Sequence, residues 1–428
     1  MRLVIDLAPL RRSRSLRCLV AGQLLTTLGG QFTTVAVPFQ VYALTRSSLD
    51  VGLVSLAQVV PLVVGALPGG SLADAIDRRT LVLVAQSLTA LGSVGLAINS
   101  LGRPALWPLF VMPALAAGTT AATESGQSAI LPNLIRRSEM ASVNALFQAL
   151  FQLGVVAGPA IVGLLLAGAG VRLVYWIDVA GLVAAIGVTF LIGPQRPPVG
   201  SRQRPGLRSI VAGFGYLRGR QVLKGAYLID INAMVFGMPR ALFPALAVTV
   251  FGGGARTLGF LYAAPGAGAL LGALMTGWVH RVRRQGRAVI IAVLVWGAAI
   301  TCFGLVRWLP GVVMLPAALV LLAVAGYADV ISAVFRSTII QLAAPEELRG
   351  RLMGTQMAAV AGGPRVGDTE AGAVAAAFGV TASVVSGGLA CIVGALLLAW
   401  KLPQFSRYTP VEEPESAHTA DAASAAGA

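Results

Sequence analysis

Nine ionisable side chains lie inside stretches that are otherwise apolar: Glu124, Asp178, Asp230, Arg240, Asp329, Arg336, Arg365, Asp368 and Glu370. A charge placed in hydrocarbon costs at least about 2.5–3.5 kcal/mol, so each needs a partner or a task. Two sets have helical spacing. Asp329, Ser332 and Arg336 fall at i, i+3 and i+7, on one helix face. Asp329 and Arg336 would then stand about 10.5 Å apart along the axis, too far for direct contact, so each is expected to pair across helices. Arg365 and Asp368 are three residues apart on the next segment, where the stretch from Gly362 to Glu370 is expected to break the helix and expose backbone groups to a cavity. Four acids (Asp230, Asp329, Asp368, Glu370) meet three arginines (Arg240, Arg336, Arg365) in this half of the chain, which leaves one carboxylate over. An unpaired buried carboxylate favours its neutral form and can carry a proton. Asp230 is the first choice for that role, because Asn232 and the Pro239-Arg240 pair mark a polar stretch around it. Equally open is a reading in which each acid belongs to a satisfied interhelical pair. Glu124, among Ser125, Gln127 and Ser128, offers a cation site or a partner for Arg136 or Arg137. Asp178 is expected near an outer helix end, laterally solvated and structural. Gln23, Gln31, Gln40, Gln58, Gln148 and Gln152 are candidates for lining a cavity or for polar contacts between helices.

Other chemistries are excluded by residue type. Lysine occurs only as Lys224 and Lys401, followed by Gly225 and Leu402, so no phosphate-binding loop ends in Lys-Ser or Lys-Thr and ATP-driven pumping is ruled out. Cys18, Cys302 and Cys391 are far apart, and His280 and His418 have no ligand spacing, so no metal site, disulfide framework or cofactor is expected. Clustered carboxylates of the kind a membrane-face transferase needs for a metal are absent from the sequence pattern.

The elements that must hold these charges follow from composition. The chain has 428 residues, 56% hydrophobic and 11% charged, with mean hydropathy +0.80. That is under half the usual charge of a soluble domain, so its surface faces lipid. Twelve segments are long and apolar enough to cross about 30 Å of hydrocarbon: 18–44, 50–72, 80–101, 105–131, 141–168, 172–193, 222–250, 257–279, 288–306, 311–343, 353–378 and 381–402. The loops between them alternate in charge. Of the 32 Lys and Arg, 24 fall on one side, five (Arg46, Arg103, Arg172, Arg256, Arg307) on the other and three inside spans. The rich side is cytoplasmic by the positive-inside rule, which places both termini there. The +15 net charge therefore reports topology, and nucleic acid is not an expected partner, since the arginines form no single face. Residues 1–17 read as a cytoplasmic leader, 18–193 and 222–402 as two six-helix bundles, 194–221 as the linker and 403–428 as a disordered tail.

The two halves repeat. Gly70, Asp74, Arg78 and Arg79 follow the second segment and Gly277 to Arg284 the eighth, 207 residues on; Glu139 and Glu347 stand 208 apart, and Gly158-Pro159 and Gly363-Pro364 stand 205 apart. A six-plus-six repeat places a site between halves that rock about it. With Gly70, Leu72, Ala73, Asp74, Arg78 and Arg79 in the loop pattern G-x-L-A-D-R-x-G-R-R, the chain resembles the major facilitator superfamily; Ala75 and Asp77 depart from that pattern. The resemblance implies an all-α membrane fold of two six-helix bundles related by a pseudo-twofold axis, and a conformational latch formed by Gly70, Asp74, Arg78 and Arg79. Gly154, Gly158, Pro159 and Gly163 match four of six positions of that family's exporter pattern in helix 5. The segments 261–272, 329–336, 362–372 and 383–391 resemble the branch of bacterial enterobactin exporters. What the likeness implies is proton-driven export across the bacterial cytoplasmic membrane by a monomer, of a catecholate siderophore or of drugs. The glycine pattern of helix 5 weighs against an importer or uniporter. A lipid-modifying membrane enzyme and a non-transporting receptor are the readings from other classes.

Overall fold

The computed structural model describes residues 8–65, 76–136, 139–195 and 219–409, and among them helix is the only regular structure. In chain order the membrane helices are α1 (Arg14–Thr45), α2 (Ser48–Gly65), α3 (Arg78–Asn99), α4 (Trp107–Leu134), α5 (140–169) and α6 (171–190). The second half has α7 (Gln221–Phe236, resuming at Phe243–Thr249), α8 (Gly254–Leu274), α9 (Gln285–Leu305), α10 (Gly311–Ala343), α11 (Glu346–Phe378) and α12 (Val380–Lys401). Each of the twelve expected segments coincides with one of these helices over most of its described residues, with a break only in α7 and a few non-helical residues at segment ends. α5 and α6 run on through one kink at Gly170, whose φ of 75° suits a residue without Cβ.

Three helices, α1, α4 and α11, fall short of the apolarity of the other spans. Their polar residues explain this: α1 carries Thr and Gln along its length, α4 carries Thr119, Thr120, Thr123, Glu124 and Gln127, and α11 carries Arg365, Asp368 and Glu370. Such helices are stable in a bilayer only if the polar face meets protein or water. All three contribute to the cavity described below.

Several boundaries move. α1 begins at Arg14, inside the expected leader, where the Ser13 hydroxyl accepts from the Leu16 amide and caps the helix. The expected break of α11 around Gly362–Glu370 does not occur, since the helix continues through Pro364. The break falls instead in α7, at Gly237–Pro239, followed by a short 3-10 turn, Arg240–Leu242. Most of the linker lies outside the described residues, as do residues 410–428. The tail does not begin at 403, because Pro403–Ser406 form a helical turn whose Phe405 is fully buried. Phe405 packs where Gly225 of α7 leaves room: a Cβ there would lie 2.7 Å from the Phe405 Cβ.

The hydrophobic packing is asymmetric between the two ends of the molecule. One large core joins residues of both halves, among them Val41, Val54 and Val162 from the first and Leu242, Leu258 and Leu261 from the second. Its first-half members lie toward the end that carries the Arg-poor loops. The smaller core, at the Arg-rich end, contains Leu16, Leu19, Val82, Ile130, Val143 and Ile192, all from the first half. Backbone-to-backbone seams repeat the asymmetry. A Cβ on Gly163 of α5 would lie 2.6 Å from the Gly259 Cα of α8, and one on Gly372 of α11 would lie 2.6 Å from the Ser48 carbonyl oxygen of α2. The packing that joins the halves thus concentrates at the Arg-poor end.

Gly163→Val has no room without moving α8, so it is expected to push the halves apart at the Arg-poor end. Overpacking of this kind costs about 1–3 kcal/mol, enough to shift a conformer ratio by about 5–150-fold. Distance measurements between spin labels at Arg103 and Leu309 would read a longer population; an unchanged distribution would contradict this account.

Candidate functional site

Between the halves lies a cavity of about 470 Å³. Its first-half wall is made of hydroxyls and amides from α1 to α4, including Gln23, Thr27, Gln31, Gln58, Gln86 and Thr120. Two acids join that wall, Glu124 and Asp178. The second-half wall supplies Arg240, Tyr262, Arg365 and Asp368. A smaller cavity of about 230 Å³, set mainly in the second half and reached by α5 of the first, is bordered by Gln152, Trp296 and Asp329, and Arg240 borders both.

The break in α7 places Arg240. Gly237 ends the helix, and its carbonyl, freed from the helical ladder, accepts from the Trp296 indole N–H at 2.8 Å. The Arg240 carbonyl accepts from the Tyr262 hydroxyl at 3.3 Å. The next free amide, Ala241 N–H, donates to Asp368 Oδ1 at 3.0 Å. Three side chains from α8, α9 and α11 therefore satisfy the backbone groups that the break exposes, as irregular backbone at membrane depth requires.

Asp368 binds both halves. Its Oδ2 accepts from the Ser55 hydroxyl of α2 at 2.8 Å, while Oδ1 takes the Ala241 amide. One residue on, the Thr369 hydroxyl donates to the Gly52 carbonyl at 3.2 Å. Gly52 permits this approach: a Cβ there would lie 2.5 Å from the Asp368 carbonyl oxygen.

The expected charge pairs sort as follows. Arg336 Nη2 lies 2.7 Å from Asp230 Oδ1, and both side chains are almost wholly buried, at 2% and 3% exposure. Arg336 Nη1 also donates to Ser332 Oγ at 2.5 Å, one turn away on its own helix. Asp230, the first choice for the leftover acid, is thus the paired one, and Asp329 on the same face does not reach Arg336. Arg365 and Asp368 form no direct ion pair: Arg365 Nη1 donates to the Ala361 carbonyl of its own helix. Among the described residues Asp329, Glu124 and Glu370 have no ion-pair partner, and Glu124 does not reach Arg136.

Asp178 departs from the sequence expectation. It is 2% exposed rather than laterally solvated. Its Oδ2 accepts from Ser93 at 2.7 Å and from Thr33 at 3.4 Å, and Oδ1 has no hydrogen-bond partner. Gly29 makes the space, since a Cβ on it would lie 2.8 Å from Asp178 Oδ1. Of the six glutamines, Gln23, Gln31 and Gln58 line the large cavity and Gln152 the small one. Gln40 instead accepts from the buried Tyr175 hydroxyl at 2.7 Å, and Gln148 is exposed. The threonines and serines of the first-half wall went unread in the sequence. Their signal was the run Thr26-Thr27, Thr33-Thr34 along α1, about two turns apart and so on one face.

The two sequence motifs have distinct fates. Gly70 and Asp74 lie outside the described residues. Arg78 Nη1 donates to the Ala129 carbonyl of α4 at 2.7 Å, and Arg79 Nη2 to the Phe190 carbonyl of α6 at 2.6 Å, with its guanidinium over the Phe190 ring. Asp77, the departure from the family pattern, caps α3 by accepting from the Arg79 and Thr80 amides. Its other oxygen accepts from the Gln195 amide, so this carboxylate ties the start of α3 to the chain leaving α6. In α5, Gly154 and Gly158 meet Thr27 and Gln31 of α1, whereas Pro159 and Gly163 meet Gly259 of α8 in the other half. The glycine pattern is a packing surface on both sides of α5.

Comparison with known proteins agrees with this architecture. Residues 5–422 match the family described as transmembrane secretion effectors, MFS_3. The chain belongs to that family. It is 29% identical over 407 residues to the enterobactin exporter EntS of Shigella boydii serotype 18, covering 95% of this chain and 96% of that one. The EntS of Escherichia coli O1:K1 is 28% identical over the same length. Solved structures of the nucleoside transporter NupG and of a POT family transporter in complex with 5-aminolevulinic acid superpose with TM-scores of 0.71 at 12% and 13% identity, each over 92% of this chain and 99% and 97% of theirs. A bacterial homologue of the lysosomal transporter Spinster, solved inward-facing and unoccupied, gives 0.68 at 15% identity, over 93% of this chain and 99% of its own. The protein is an all-α, multi-pass membrane transporter with the major facilitator fold, and not an enzyme.

The Asp230–Arg336 pair makes a direct prediction. Arg336→Met strands a buried carboxylate and is expected to cost about 3–5 kcal/mol, read as a lower Tm in detergent. Asp230→Asn combined with Arg336→Met should recover most of that loss. Equal destabilisation by the single and double variants would show that the pair contributes nothing.

Proposed function

We propose that this protein is a proton-coupled secondary exporter of small amphiphilic molecules, working by alternating access, with an enterobactin-like siderophore as cargo. It acts in the bacterial cytoplasmic membrane with both termini and the Arg-rich loops inside. The observation that carries this reading is the seam at Asp368. A cavity lies between two halves, the halves are joined at the Arg-poor end, and one titratable side chain in the cavity wall hydrogen-bonds across that joint. On this reading the structure is the inward-open state. The siderophore assignment comes from the name of the relatives it matches over nearly their full length. Multidrug efflux is the second reading, favoured by the many uncharged hydroxyls and amides of the first-half wall, which impose no single ligand shape.

Asp368 replaces Asp230 as the coupling acid. Ionised, it accepts charge-assisted hydrogen bonds from Ser55 and Ala241 and holds the outer end shut. Cargo entering from the cytoplasm beside it supplies the binding energy that parts the halves. Once the outer end opens, Asp368 faces the exterior and takes a proton. The neutral acid carries no charge through the return, and releases its proton when the seam reforms.

Inside-out vesicles with an acid interior test this. Wild type should accumulate labelled enterobactin against its gradient, with ethidium as the parallel arm for multidrug efflux. Asp368→Asn should still exchange cargo across the membrane but accumulate none, whereas Glu370→Gln should keep at least half of wild-type accumulation. Accumulation of neither compound by wild type would overturn the export reading, and concentrative uptake by Asp368→Asn would overturn the coupling role.

A further inference from the structure

We infer that Arg240 and Arg365 form an oxyanion subsite on the second-half wall of the cavity, taking a carboxylate, catecholate or hydroxamate of the transported molecule; the inference rests on the export reading for the identity of that molecule, and on the geometry for the site. Arg240 is a fixed cation with a free head. Its backbone is held through the Tyr262 hydroxyl, and the flanking peptide groups are held by Trp296 and Asp368. Its guanidinium has no hydrogen-bond or ion-pair partner among the described residues. Arg365 is little better satisfied: Nη1 reaches only a carbonyl of its own helix, and its Nε is buried without a partner. Both arginines border the same 470 Å³ space.

Two under-satisfied guanidiniums on one wall at membrane depth are costly unless something anionic joins them. Asp368 offsets part of their charge from nearby, but among the described residues no acid pairs directly with either guanidinium: Asp368 spends both oxygens on Ser55 and Ala241, and Asp329 borders the smaller cavity with Arg240 without an ion pair. A guanidinium presents paired N–H donors in a plane, which match the two coplanar oxygens of a carboxylate, catecholate or hydroxamate. Among the described residues the first-half lining of the cavity holds no lysine or arginine, so the cavity orients such a molecule with its acidic end on the second half. The subsite also adjoins the coupling acid. An oxyanion on Arg240 would sit near Asp368, and the repulsion between them favours opening of the seam that Asp368 holds.

Binding to the purified full-length protein tests the subsite without transport. The probe is labelled 2,3-dihydroxybenzoylserine, compared with its neutral methyl ester dimethyl ether, by equilibrium dialysis. Wild type should bind the acid at least about tenfold more tightly than the neutral compound, a difference of about 1.4 kcal/mol. Arg240→Gln and Arg365→Gln should each abolish the preference and leave binding of the neutral compound unchanged. Arg240→Lys, which keeps the charge but not the fork, should retain part of it. Salicylate, but not salicylamide, should displace the acid from wild type, a measurement that needs no variant. An acid preference unaltered in both glutamine variants, or equal displacement by salicylamide, would overturn the inference. Failure of wild type to accumulate cargo in the vesicle experiment would instead remove the export reading and leave the anion preference to be judged on its own.

Discussion

A carboxylate at membrane depth can send its charge only to dipoles of the protein, and Asp368 sends it to both halves at once. Much of the molecule is arranged around that demand. α7 breaks so that a backbone amide is free to meet the carboxylate, and Trp296 and Tyr262 hold the carbonyls that the same break exposes. Gly52 lets α2 come close enough for Ser55 to reach. The polar part of the joint is confined to these few groups, beside the close glycine contacts of α5 with α8 and of α2 with α11.

That packing is close and uses small residues wherever helices must touch. Gly268 and Gly326 bring α8 and α10 together inside the second half: a Cβ on Gly326 would fall 2.0 Å from the Pro265 carbonyl oxygen. In a bilayer, association by van der Waals contact between small residues replaces the hydrophobic drive that folds soluble bundles. Rigid bundles result, and the freedom that remains lies between them. The first half is knitted at its Arg-rich end by side chains on main-chain carbonyls, through Arg78 and Arg79, and by the Asp77 cap, so it can move as one body.

Much of this was legible in the sequence. Segment length and loop charge gave twelve crossings, because hydrocarbon thickness and the placement of arginine are bulk constraints that each segment obeys alone. The pairing of charges was not legible. Counting acids against arginines left one carboxylate over, but which one depends on helix rotations that spacing along a single helix does not encode. Asp230 looked free because its partner Arg336 is 106 positions away on α10. Asp178 looked solvated because its distance from a helix end was readable, whereas the Gly29 notch that encloses it was not. The helix break was misplaced for a related reason. Gly-Gly-Pro in α11 has stronger local breaking character than Gly-Met-Pro in α7, yet only α7 has neighbours that satisfy the released backbone.

The burial of Phe405 gives the second half a mechanical property. α7 opens this half and the turn after α12 closes it, and the phenyl ring fastens one to the other at Gly225, with the Phe405 carbonyl lying close against Gly286 of α9. Start and finish of the bundle are thereby clasped into a ring. Tension on the far C-terminus is borne by that clasp before it can peel the last helix from its neighbours, and the six helices can tilt as a hoop whose ends do not part.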